Sequence, residues 1–177
     1  RDTLAMCFST TKGAASFALH VLADRGLVDY DAPVATYWPE FAQNGKAGVT
    51  VRHVLSHSAG PHRLRSIIDS AHHMLDWEHM VEALAREAPA YEPGTRAGYH
   101  ALTYGWLVGE IVRRVTGLPL AEVIAAELSG PLGLDGLYLG SLLFVLSAGL
   151  SLIFGAMNIL NLAHGAGEFV DGVVRAR

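Results

Sequence analysis

The sequence predicts a mainly α-helical domain followed by a C-terminal hydrophobic helix, and three observations carry that expectation. Apolar residues recur at helical spacing in several stretches of the first three quarters of the chain. Those stretches close on helix-stopping residues, Asp24-Arg25-Gly26 and then Gly117 with Pro119. From Gly136 to Gly167 there is no Asp, Glu, Lys or Arg. The 177 residues are enough for one domain with an appendage, and for a real core.

Taken in order, residues 9–23 place Ala14, Phe17, Ala18, Val21 and Leu22 on one helical stripe. The segment "DYDAPVATYWPEF", with Pro33 and Pro39, predicts turns and short irregular helix. Thr50 is a predicted N-cap for a short helix through His57, ended by Ala59-Gly60-Pro61. Asp76 is a second predicted cap, opening a helix from Trp77 to about Glu87. "YEPGTRAGY" is turn chemistry. Residues 101–116 are the clearest amphipathic helix, with Tyr104, Leu107, Val108, Ile111, Val112 and Val115 inward and Glu110, Arg113 and Arg114 away from that face. Phe17, Trp77, Met80 and Trp106 read as core.

Beyond Asp135 the character changes. Leu137 to Leu160 is a run of about 24 residues that would reach about 36 Å as a helix, enough to cross a hydrocarbon layer of about 30 Å. The expected division is therefore 1–135 as the domain, 136–168 as a hydrophobic transmembrane segment anchoring the chain in membrane through 137–160, and 169–177 as a polar tail.

Charge and cysteine content exclude several classes. A net charge of −4 offers no basic field, so nucleic acid is not an expected partner. The nine histidines add positive charge only below about pH 6.5. Cys7 is the sole cysteine, so neither a CxxC motif nor a four-cysteine zinc site exists. His53 and His57 stand at i, i+4, and "DSAHHMLDWEHM" gathers Asp69, His72, His73, Asp76 and His79, but neither group has a companion motif. No metal and no cofactor is expected. The chain opens on Arg1 and reads as a fragment, which leaves any export signal unread.

Ser9-Thr10-Thr11-Lys12 is the stretch that bears on chemistry. An S-x-x-K pattern arises by chance about once in every one or two chains of this size. Its plain reading is a polar helix opening with Lys12 facing solvent. Its chemical reading is a nucleophile at a helix N-terminus, where backbone N–H groups favour developing negative charge. A lysine one turn on reaches it, and burial weakens the preference for the charged amine. The small residues Gly13-Ala14-Ala15 would let this helix end approach other backbone closely.

Two further segments follow in order, "GVTVRHVLSHSAG" (48–60) and "YEPGTRAGYHALTYGWLVGEIVRRVTG" (91–117). With the first, they resemble the serine β-lactamase-related family, which holds class C-type β-lactamases, penicillin-binding-protein-like hydrolases and family VIII carboxylesterases. The resemblance runs from about 7 to 135, where "GPLGLDG" is similar to a closing element of the family's helical region. It implies a truncated β-lactamase/penicillin-binding-protein-like α/β fold, mostly its helical region, acting on a small-molecule ester or amide. It also implies that Ser9 is the acylated nucleophile, Lys12 its proton acceptor and Tyr99, opening "YHA", the proton relay of the family's Tyr-x-Asn element. Ala101 stands where β-lactam-active members carry Asn, which leans the expectation toward esterase. His57 matches a segment that shapes a loop beside the site and reads as a packed loop residue.

The family pattern also has a later strand motif, of Lys-Thr-Gly type, that supplies an oxyanion-hole donor; nothing after Tyr99 fits it. The expected function is a serine hydrolase of carboxylesterase type, and because one such donor is worth about 10²–10³ in rate, truncation counts against the activity of this chain. "GLSLIFGAMNILNLAHG" (149–165) instead resembles the first transmembrane region of branched-chain amino acid ABC transporter permeases. The counter-reading is thus a non-enzymatic membrane-anchored fragment, or a chimera with a permease segment. Localisation follows the same fork: membrane-associated if that segment is genuine, otherwise cytoplasmic or periplasmic.

Overall fold

The computed structural model describes residues 8–61 and 63–134. The expected membrane span, the permease-like stretch and the polar tail lie outside the described residues, and so does Cys7. Among the described residues no helix is long and apolar enough to cross a membrane.

Helix α1 runs Thr11–Asp24, entered through a 3-10 turn at Phe8–Thr10. The Thr11 hydroxyl donates back to the Phe8 carbonyl at 2.6 Å, closing that turn. Its end follows the expected stop. Gly26 takes φ 71, the Gly26 N–H donates to Ala23 and the Leu27 N–H to Leu22, each at 2.9 Å. That pair satisfies the last carbonyls by the αL termination that glycine permits.

The buried stripe of α1 differs from the expected one. Ala15, Ala18, Leu19 and Leu22 are buried, while Phe17 is 40% exposed. The periodicity was there, but several small and apolar neighbours fit a helical stripe equally well, and packing selected the one that carries Lys12 inward.

Residues 25–50 form the turns and 3-10 segments (Val34–Thr36, Pro39–Ala42) expected of a proline-bearing stretch. They are pinned by an antiparallel bridge between Pro33 and Thr50. Trp38 and Phe41 seal them on the core, ring centroids 4.9 Å apart. The Lys46 ammonium is fully buried and donates to the carbonyls of Gln43, Ala85 and Glu87, tying this loop to the end of the helix Trp77–Arg86.

Helix α2 is Val51–Leu55, shorter than the expected reach to His57. Thr50 caps it: its hydroxyl accepts from the His53 N–H, and the Thr50 N–H donates to His53 Nδ1, both at 3.2 Å. His57 lies past the end with φ 59, which no helix accommodates. Helix α3, Trp77–Arg86, is opened by Asp76, whose Oδ1 accepts from the His79 N–H at 3.0 Å.

Helix α4, Tyr104–Thr116, begins three residues later than the periodicity alone suggests and ends on Gly117 at φ 75. Tyr104, Leu107, Val108, Ile111 and Val112 are buried as expected. Glu110 is not turned away; it is fully buried. It accepts from Trp77 Nε1 at 3.0 Å, from Arg113 Nε at 2.7 Å and from Arg114 Nε at 2.7 Å. A carboxylate with three donors can be buried where one without them cannot. Beyond Pro119 the chain stays helical, with α5 at Leu120–Ile124, a π-turn at Ala125–Ser129 and α6 at Gly130–Leu132.

Helix α1 packs against α4 and α5, and α3 packs on α4. One apolar cluster joins Leu19 and Leu22 to Val54, Leu84, Leu107 and Ile111. Among the described residues there is no strand beyond the bridge, so the helical part of the expected architecture is what is seen.

Candidate active site

Packing α1 beside α4 brings together two segments far apart in the chain. Ser16 on α1 and Tyr104 at the head of α4 share a hydrogen bond of 2.6 Å, and the Ser16 hydroxyl also reaches the Lys12 carbonyl at 2.9 Å. Burial pushes the Tyr104 phenol above its ordinary range, with the Ser16 hydrogen bond offsetting part of that. The head of α1 and the loop entering α4 therefore meet.

At that meeting point lie Ser9, Lys12 and Tyr99. Lys12 Nζ is 3.1 Å from Ser9 Oγ and donates to the Ala101 carbonyl at 2.8 Å. The Tyr99 hydroxyl donates to Ser9 Oγ at 2.7 Å. Lys12 Nζ also sits 5.1 Å from the centroid of the Tyr99 ring. Lys12 is buried, whereas Ser9 is exposed and Tyr99 is 53% exposed. An anchored amine thus stands behind a hydroxyl open to solvent.

The backbone prepares this. Phe8, immediately before Ser9, takes φ 43, a left-handed conformation costly to a bulky residue. The 3-10 turn it opens presents Ser9 one turn ahead of Lys12. Burial works to raise the Tyr99 phenol, but its hydrogen bonds with Ser9 and Lys12 and the Lys12 charge outweigh it. The net result is a phenol below the ordinary tyrosine range.

Sequence reasoning missed one feature here: the Ala101 backbone carbonyl, not its side chain, holds Lys12. His57, expected as a packed residue in a loop beside the site, lies against Tyr99, its ring edge-on with centroids 4.9 Å apart, and near His100 at 5.4 Å. Burial first and the Lys12 charge second push the His57 imidazole below its ordinary range. The position in "LSHSAG" was the available signal.

The histidine-rich stretch is built differently from a ligand set. Asp76 caps α3, the His72 N–H donates to Ser70 Oγ at 3.3 Å, and the His73 ring lies tilted against that of His79 with centroids 4.1 Å apart. Among the described residues no group of three potential ligands gathers. Gly13 is exposed, and a Cβ there would meet nothing within 4 Å among the described residues, so the close backbone approach expected at this turn is not seen.

Comparison with known proteins gives a consistent picture. Residues 1–143 match the family model described as Beta-lactamase, a span wider than the 7–135 of the sequence resemblance. The chain is 48% identical over 139 residues to the esterase/beta-lactamase LipL of Mycobacterium tuberculosis, covering 78% of this chain and 32% of that protein. A family VIII carboxylesterase crystal structure superposes with a TM-score of 0.72 at 46% identity, covering 77% of this chain and 37% of the other. A penicillin-binding protein homolog from Caulobacter crescentus gives 0.71 at 44% identity, covering 75% and 36%. The chain spans about a third of the length of these relatives.

Proposed function

The chain belongs to the beta-lactamase family, and from that premise we propose that it is a serine hydrolase, of carboxylesterase type, working through an acyl-enzyme on Ser9. One observation carries the reading: Ser9 Oγ lies within hydrogen-bond reach of both Lys12 Nζ, at 3.1 Å, and Tyr99 OH, at 2.7 Å. A nucleophile beside a positioned base, with a second acid–base group on its other side, is what acyl transfer requires.

In the first half-reaction, which starts from Lys12 as the neutral amine, Ser9 Oγ forms a bond to the ester carbonyl carbon and its proton goes to Lys12 Nζ. The Tyr99 phenol returns a proton to the departing alkoxide as the carbon–oxygen bond breaks, and is recharged from Lys12. In the second half-reaction water attacks the acyl carbon, its proton leaves by the same route, and Ser9 Oγ departs as hydroxyl. The Tyr99 phenol, held below its ordinary range, suits a group that must give and take a proton.

Two observations favour an ester over a lactam. Ala101 offers no side-chain amide to hold a substrate amide, and one of the superposed crystal structures is of a family VIII carboxylesterase. A fluorophosphonate probe tests the reading: folded wild type should be labelled at Ser9 and hydrolyse p-nitrophenyl esters, and Ser9→Ala should do neither. Absence of label on folded wild type, or equal labelling of Ser9→Ala, overturns it.

A further inference from the structure

Tyr99 is half-exposed and lies in the irregular loop before α4, so something other than burial must fix its hydroxyl on Ser9. We propose that His57 is the positioning residue for Tyr99, gripping the chain on both sides of it. The role rests on the reading of Ser9, Lys12 and Tyr99 given above, and extends it to a residue that does not touch Ser9.

The grip has two hands. On the N-terminal side, the His57 carbonyl accepts from the Gly98 N–H at 2.8 Å and from the Tyr91 hydroxyl at 3.3 Å. On the C-terminal side, His57 Nδ1 accepts from the His100 N–H at 3.2 Å and lies 3.3 Å from His100 Nδ1. Tyr99 is the residue between these two anchors, and the His57 ring lies edge-on against its phenol ring. A single residue therefore holds positions 98 and 100 by main-chain hydrogen bonds and 99 by ring contact.

The conformation of His57 makes this possible. Its φ of 59 aims carbonyl and imidazole toward the same loop, a left-handed state that is uncommon outside glycine but that histidine takes more often than most residues. Tyr104, whose ring lies 4.9 Å away, backs the imidazole from α4. The groups facing Tyr99 are Ser9 and Lys12 from the head of α1 and His57; those facing His57 are Lys12, Tyr91, Tyr99, His100 and Tyr104.

Two substitutions separate the imidazole from the backbone. Asn and Gly both tolerate positive φ, but only Asn offers an acceptor oxygen near the place of Nδ1. The Tyr99 phenol is followed by NMR titration with ring-labelled tyrosine, and Ser9 acylation by fluorophosphonate labelling rate. In His57→Gly the phenol should move up toward ordinary tyrosine, and acylation should fall by about 10²-fold, the scale of a small misplacement. His57→Asn should keep both near wild type. In a Tyr99→Phe background His57→Gly should cost nothing further.

An unmoved Tyr99 titration in folded His57→Gly overturns the proposal, as does a full additional loss in the Tyr99→Phe background. Should His57→Gly fail to melt cooperatively, His57→Asn decides alone, because a retained Tyr99 titration is required of it. A wild type that is never labelled at Ser9 defeats the hydrolase reading instead, while the Tyr99 titration still decides the role of His57.

Discussion

Ser9, Lys12 and Tyr99 share hydrogen bonds of 2.7 and 3.1 Å at Ser9 Oγ, but they differ in how deeply they are rooted. Lys12 is buried and bound to the Ala101 carbonyl, so its removal would disturb packing as well as chemistry. Tyr99 is half-exposed, and its hydroxyl serves Ser9. Tyr99→Phe should therefore leave the thermal midpoint close to wild type and lower ester turnover by about 10²–10⁴, the usual worth of an acid–base group. Steady-state kinetics beside a melting curve checks both halves; a fall in stability equal to the fall in rate would make Tyr99 a structural residue. At this scale the sequence was legible where the contact is local. Ser9 and Lys12 are three residues apart on one turn, so their proximity follows from helical geometry alone. Nothing local reveals that Ala101 would hold Lys12 by its carbonyl, because every residue carries one.

Among the elements, α4 shows what the hydrophobic pattern conveys and what it misses. Its apolar stripe and its glycine stop were readable, since both depend on residues within a turn or two. Glu110 was not, because a carboxylate is buried only when donors from elsewhere are present, and Trp77 comes from α3. Burial works to raise the Glu110 carboxyl, but hydrogen bonds from Arg113, Arg114 and Trp77 overcome it and hold it below the ordinary carboxylate range. The unfolded chain thus binds this proton more readily than the folded one. The stability it contributes is complete above the ordinary carboxylate range and is lost as pH falls through the depressed folded value. Glu110→Gln should cost about 1–3 kcal/mol at neutral pH, the scale of weakened hydrogen bonds to charged groups, because Arg113 and Arg114 stay partly exposed and keep Glu78 and Glu40 as partners. It should also flatten the acid limb of stability against pH. Urea titrations across that range measure both, and an unchanged acid limb would show that Glu110 is not the group responsible. On α1 the C-terminal stop was legible but the face was not: Phe17 is exposed while Leu19 is buried, because the helix rotates to put Lys12 inward.

Across the whole molecule, the site depends on loops that cross rather than on any one helix. Gly60, at φ 102, ends the segment carrying His57, and a Cβ there would lie 2.5 Å from Pro89 Cβ and 3.4 Å from the Tyr91 carbonyl oxygen. The same crossing is held by Thr103, whose hydroxyl donates to the Pro61 carbonyl at 3.2 Å. Gly60→Ala should destabilise by about 1–3 kcal/mol through overpacking and backbone strain together. It should slow Ser9 labelling in parallel, because it displaces the loop that flanks Tyr99; wild-type melting and labelling would refute the crossing as a support. By itself the sequence determined the caps at Thr50 and Asp76, the stops at Gly26 and Gly117, and the pairing of Ser9 with Lys12. Each rests on hydrogen bonds or spacings spanning four or five residues, which local chemistry decides. Only the tertiary structure decided that Tyr99 reaches Ser9 across 90 residues, that Glu110 turns inward, and that His57 stands behind the tyrosine. Those contacts exist because α1, α2 and α3 all pack against α4, and the angle at which two helices settle depends on every side chain between them.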